Sequence, residues 1–67
     1  MDYANSKLAE IVNEYIHSER DRQIFLRKFA DDYTLERIAE EHSLSVSQVK
    51  RIIKKHYFTV FRHFENQ

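Results

Sequence analysis

The chain has neither glycine nor proline among its 67 residues. Tight hairpins lean on Gly, Asn or Asp at positive φ, and parallel sheets need long crossover connections. A sequence without Gly or Pro but rich in Glu, Lys, Arg, Leu and Ile predicts an all-α fold with short connections. Cysteine is missing as well, which excludes a disulfide framework and a thiolate metal site and suits a reducing compartment. No apolar run approaches the roughly 20 residues that span a bilayer, and the first residues lack a basic-then-apolar secretion signal. The expectation is a soluble, cytoplasmic protein with no membrane partner.

Net charge is also absent, since 11 Lys and Arg balance 11 Asp and Glu. A neutral total argues against a nucleic-acid binder, but the charges are not evenly spread. Residues 1–45 hold 6 Lys/Arg against 10 Asp/Glu, whereas residues 46–67 hold 5 against 1. The halves cancel in the sum and not along the chain, and this asymmetry is the more informative quantity.

What is present is periodic apolar patterning. Leu8, Ile11, Val12, Tyr15 and Ile16 recur at spacings of three and four, predicting a first helix that runs to about His17, capped by Asp2, Asn5 or Ser6. Ser18 and Asp21 resemble a capping box with Asp in place of Glu. They open a second helix that carries Ile24, Phe25 and Phe29 inward and ends near Ala30. Asp31 and Asp32 suit the following turn, because Asp tolerates left-handed backbone. Thr34 caps a short third helix with Leu35, Ile38 and Ala39 facing the core and Glu36 in its first turn, where negative charge suits the helix dipole. Ser45-Val46-Ser47-Gln48 is a capping box that starts a fourth helix, whose apolar positions are Val49, Ile52, Ile53, Tyr57, Val60, Phe61 and Phe64. Residues 1–67 read as a single domain of four helices, small enough to bury only about 60% of its unfolded surface.

The third and fourth helices, separated by a tight turn, predict a helix-turn-helix. Where two such helices cross, the first needs a small residue, and Ala39 stands there. Leu44, Val49 and Ile52 follow it by five, ten and thirteen residues, and with Ile38 they plug the gap. This is the spacing of the unit whose second helix enters the DNA major groove.

"SERDRQIFLRKFADDYTLERIAEEHSLSVSQVKRII", Ser18 to Ile53, resembles region four of bacterial RNA polymerase sigma factors. Tyr33-Thr34-Leu35-Glu36 and Ile38-Ala39-Glu40-Glu41 carry most of the likeness, and "LSVSQVKRI" is similar to LuxR-type helix-turn-helix domains as well. The resemblance implies a DNA-binding role in transcription. It also has departures. Ser43 stands where many members have Gly, at a turn that favours positive φ. His42 replaces a Leu or Phe, and Val46-Ser47-Gln48 replaces an Arg-Glu-Arg sequence, so the promoter specificity of sigma factors is not carried over. Without the other sigma regions the chain is not expected to open a promoter alone.

At about 100° per residue the fourth helix sorts into faces. Val49, Ile53, Tyr57, Val60 and Phe64 share the core arc, while Ser47, Lys50, Arg51, Lys54 and Lys55 lie away from it. A Lys/Arg run on a helix is ordinarily a solvated face; the helix-turn-helix spacing is what points this one toward double-stranded DNA. The expected DNA-binding residues are Ser45, Val46, Ser47, Gln48, Lys50, Arg51, Lys54 and Lys55. Arg51 suits bidentate contact with guanine and Gln48 an adenine, although Ser45 and Gln48 are first of all caps. The lysines suit phosphates. Val46 either touches a thymine methyl or leans into the core.

The tail, "HYFTVFRHF", is unusually aromatic, and Phe58 falls on the side of Arg51 and Lys55. Packing on the first helix accounts for most of this stripe. Phe58 and Phe61 are the candidates for meeting another surface, whether RNA polymerase, a sigma factor or a second copy in a homodimer. This protein-interaction role is the alternative to DNA reading. No metal site is expected at His56 and His63, and His42 is expected to bond the last carbonyls of the third helix. With no paired carboxylates, no Ser–His–Asp order, no phosphate-cradling loop and little room for a pocket of roughly 300 Å3 or more, no enzymatic activity or cofactor is expected.

Overall fold

The computed structural model describes the backbone of residues 3–65 and the side chains of residues 5–65. It contains α1 (Tyr3–Tyr15), α2 (Glu19–Phe29), α3 (Leu35–His42) and α4 (Val46–Glu65), with no strand among the described residues. The fold is all-α, as the missing Gly and Pro imply.

The helix boundaries follow local chemistry. α1 stops at Tyr15 rather than His17, with the Ile16 N–H still donating to the Val12 carbonyl at 2.9 Å. Asn5 and Ser6 lie inside this helix and so do not cap it, and Asp2 lies outside the described residues. The Ser18 hydroxyl accepts the Asp21 N–H at 3.2 Å, but this capping box is half-built. The Asp21 carboxylate accepts from Arg20 and pairs with His56 instead of turning back to Ser18.

After α2 the chain reverses through Asp32, which is left-handed with φ 59°, and the Tyr33 N–H reaches back to the Arg27 carbonyl at 2.9 Å. The Thr34 hydroxyl then caps α3 by accepting the Arg37 N–H at 3.1 Å. α3 ends in a Schellman turn. Ser43 is left-handed (φ 57°, ψ 42°), its N–H donates to Glu40 at 3.3 Å, and the Leu44 N–H donates to Ala39 at 2.8 Å. Ser43 thus occupies the conformation that favours glycine.

Two apolar clusters hold the helices together, and α4 runs through both. Leu8, Ile11, Val12 and Ile16 meet Phe25 and Val60 in one. Ile24, Ile38, Ala39 and Val49 form the other, with Leu44, Val46 and Ile52 packed against it. Ile24 and Phe25, adjacent in sequence but about 100° apart on α2, feed different clusters. Ile53 touches both clusters from α4, so the helix-turn-helix is braced against α1 and α2 as one unit.

Candidate nucleic-acid interface

The interface is built from the turn outward. Ala39 is small and buried, which lets α3 cross α4 closely enough for Ile38 and Val49 to be wholly covered. That crossing fixes the rotation of α4. Its start is set by a reciprocal capping box: the Gln48 N–H donates to the Ser45 hydroxyl at 3.1 Å, and the Ser45 N–H donates to Gln48 Oε1 at 2.8 Å.

A third tie comes from α2. Asp21, buried between α2 and α4, lies with Oδ2 2.9 Å from His56 Nε2, while its Oδ1 accepts from Arg20 Nε and an Arg20 terminal nitrogen at 3.2 and 3.1 Å. Burial works to raise the Asp21 carboxyl, but hydrogen bonds from His56 and Arg20 and their charges outweigh it and hold the group below its ordinary value. The position of α3 is reinforced on the surface. Arg27 bonds Asp31 at 2.8 Å and Glu41 at 3.2 Å, and the guanidinium groups of Arg27 and Arg37 lie over the Tyr33 ring at 5.2 and 3.8 Å. Hydrogen bonds from Arg27 to Asp31 and then Glu41 raise its pKa above the ordinary arginine value.

With the helix so held, Ser45, Ser47, Gln48, Lys50, Arg51, Lys54 and Lys55 are all exposed. None of the four cations makes an ion pair among the described residues, in contrast to Arg20 and Arg27. Val46 is half-buried against the Ile38–Val49 cluster, so it leans toward the core. Arg51 and Gln48 share a shallow cleft of about 180 Å3 with Leu44, Ile52 and the α2 side chain of Arg20.

Four expectations need correcting. Tyr57, assigned to the core arc, is 47% exposed. Burial on α4 centres on Val49, Ile53 and Val60, and Tyr57 lies roughly 60° to one side of that line, on a flank where α2 reaches it only through Phe29 at 6.1 Å. Phe61, expected to face a partner together with Phe58, is half-buried and packs at 5.1 Å on Phe29 and 5.8 Å on Phe25. Only Phe58 stands open, at 84% exposure. His42 does not finish α3: its Nε2 lies 3.3 Å from Glu41 Oε1 without a hydrogen bond, and the Ser43 and Leu44 N–H groups take the last carbonyls. Finally, a surface groove of about 560 Å3 exists, larger than so small a chain was expected to hold. It is an open trough between the helices, so it requires no enlarged interior.

The Asp21–His56 pair escaped sequence reasoning, yet both halves left a signal. Asp21 precedes buried Ile24 and Phe25 by three and four residues, and His56 lies roughly 40° from the Val49–Val60 line. His63, by contrast, stacks on Tyr15 at 3.9 Å with an interplanar angle of 5°. The described residues hold no group of three or more His, Cys, Asp or Glu able to bind a metal, and no helix long and apolar enough to cross a membrane.

No curated protein and no solved structure matches the chain. The family model for sigma-70, region 4, matches residues 18–55, more than half of the sequence. The matched span begins at the Ser18 cap of α2, takes in the whole helix-turn-helix, and ends at Lys55, the last residue of the cationic flank. The chain therefore belongs to the sigma-70 region 4 family, a DNA-binding helix-turn-helix that acts in transcription.

Proposed function

We propose that residues 1–67 act as a single-domain, sequence-specific, cytoplasmic transcriptional regulator without catalytic activity. α4 enters the major groove by its N-terminal end, where Ser45, Ser47 and Gln48 approach the base edges while Val46 leans toward the core. Arg51, exposed and without an ion-pair partner, donates bidentately to guanine, while Lys50, Lys54 and Lys55 neutralise phosphates. Gln48 has its Oε1 already engaged by the Ser45 N–H, so its amide donors favour a base acceptor over the two-way pairing that adenine requires. The observation that carries this reading is the row of outward cations without ion-pair partners on a helix whose rotation is fixed from the opposite side. Neutralising about three phosphates gives a log–log slope of DNA affinity against salt near −2.7. A slope near zero, measured by fluorescence anisotropy on a duplex, removes the proposal.

Phe58 favours a second reading, in which the same fold docks RNA polymerase, a sigma factor or another copy of itself. An aromatic ring 84% exposed has no role in the chain's own core. Phe58→Ala leaves DNA affinity nearly unchanged and abolishes partner capture on this reading, and Lys50→Ala with Arg51→Ala does the reverse.

A further inference from the structure

The last three turns of α4 carry a stripe on the side turned away from the core. Lys55, Phe58, Arg62 and Glu65 recur at spacings of three, four and three, all exposed, and centre about 180° from the Val49–Val60 line. None of the three charged members makes an ion pair among the described residues. Beside the stripe, Tyr57, Phe58, Phe61, Arg62 and Glu65 line a hollow of about 300 Å3. Phe58, Phe61, Arg62 and Glu65 stand at i, i+3, i+4 and i+7, the four corners of the hole that receives a side chain from a facing helix in a coiled coil. The same stripe supplies that side chain, because Phe58 is 84% exposed. We infer that two copies of this chain pair through antiparallel α4 helices, with Phe58 of each copy seated in this hollow on the other.

Charge fixes both direction and register. A parallel pair sets Lys55 on Lys55, Arg62 on Arg62 and Glu65 on Glu65, a repulsion at every charged position. An antiparallel pair with its two-fold axis beside Val60 sets Phe58 against the partner's Arg62 and Lys55 against the partner's Glu65, and symmetry makes each contact twice. A guanidinium then lies over each aromatic face, and each ammonium meets a carboxylate. Sliding the copies toward their N-terminal ends brings Lys55 onto the partner's Arg62 instead. A contact of three turns, about 15 Å long, falls short of the roughly 800 Å2 per partner of a standard stable interface, so the dimer is reversible and depends on concentration. Ser45, Ser47, Gln48 and Arg51 lie outside the Lys55–Glu65 span, so the pairing leaves the reading end of α4 open. Phe58, Arg62 and Glu65 lie beyond the residues that match the family, and membership in it does not account for them. The inference rests on the docking reading of Phe58 and names its occupant.

The chain has no cysteine, so introduced thiols report the register directly. Lys55→Cys and Glu65→Cys are made as separate variants, one enlarged by a tag, then mixed and oxidised. The mixture is expected to cross-link, whereas each variant alone stays uncrosslinked. Like positions lie about 15 Å apart in this register, and a disulfide needs Cα atoms within about 7 Å. Sedimentation equilibrium of the native sequence is expected to show monomer and dimer in exchange. Phe58→Ala is expected to weaken the dimer about tenfold with no change in thermal unfolding at low concentration, since Phe58 is exposed. Glu65→Lys is expected to weaken it about tenfold, and adding Lys55→Glu to restore it. A chain still monomeric at about 1 mM overturns the inference. So does either cysteine variant cross-linking with itself as readily as with the other, or a dimer indifferent to Phe58→Ala. Capture of RNA polymerase or a sigma factor by a chain that stays monomeric overturns the pairing and keeps the docking reading, while loss of both ends each.

Discussion

Asp21 shows how one side chain can serve the fold and the interface together. It is buried, yet it keeps its charge because His56 and Arg20 bond it from different elements, one on α4 and one beside it on α2. Removing the carboxylate leaves His56, whose side chain is 15% exposed, facing a void. Asp21→Ala is expected to cost about 1–3 kcal/mol in urea unfolding at neutral pH, and His56→Ala a similar amount. The double variant should cost clearly less than the sum, because the second change removes a group already stranded by the first. A pH dependence follows from the same bonds. The Asp21 pKa is lower in the folded chain than in the unfolded one, so the unfolded chain binds more protons in the acid range. The stabilisation is therefore complete above the ordinary Asp value of about 3.9 and is lost as pH falls through the lower folded value. Unfolding followed from neutral pH downward should fall more steeply below about pH 4 in the native sequence than in Asp21→Ala. Parallel curves would mean that the pair makes no difference between the folded and unfolded states.

Among the elements, α3 and its two ends carry opposite lessons about local chemistry. Ser43 holds φ 57° without being glycine, a conformation that costs an L-residue about 1–2 kcal/mol. Glycine there also loosens the unfolded chain, so Ser43→Gly is expected to stabilise by about 0.5–1 kcal/mol. Ser45→Ala, which removes one acceptor from the start of α4, is expected to destabilise by about 0.5–2 kcal/mol. At about 4–8 °C per kcal/mol for a chain of this size, thermal unfolding should separate the two variants in opposite directions. These features were legible because they depend on a few neighbouring residues: the Thr34 and Ser45 caps, the left-handed turn and the Ala39–Leu44–Val49 spacing need no knowledge of distant packing. The rotation of α4 in its second half did not have that property. Whether Tyr57, Phe61 or His56 is covered depends on where α1 and α2 end against it. A periodicity argument assumes one symmetric core arc, but the arc here is shifted toward Asp21 and leaves the Tyr57 flank bare. The outward cations were legible for the complementary reason, since they lie far from any boundary between covered and open surface.

Across the whole molecule, the zero net charge conceals two opposed halves, and this decides how DNA binding should respond to substitution. A neutral protein gains little from long-range attraction to a polyanion, so under the proposed DNA reading its affinity rests on counterions released where lysines touch phosphates. Each such contact contributes about 0.9 to the salt slope. Lys54→Ala with Lys55→Ala should therefore bring the slope from about −2.7 to about −0.9, with little change in stability because both side chains are exposed. The acidic half acts differently. Glu10 and Glu14 are exposed on α1, away from the turn and from the start of α4. Glu10→Gln with Glu14→Gln adds positive net charge without adding a contact, so it should speed association at low salt and leave the slope where it was. Stopped-flow association and equilibrium titrations across a salt series measure the two effects separately. A slope that responded to the glutamates and ignored the lysines would place the contact surface on the wrong side of the molecule.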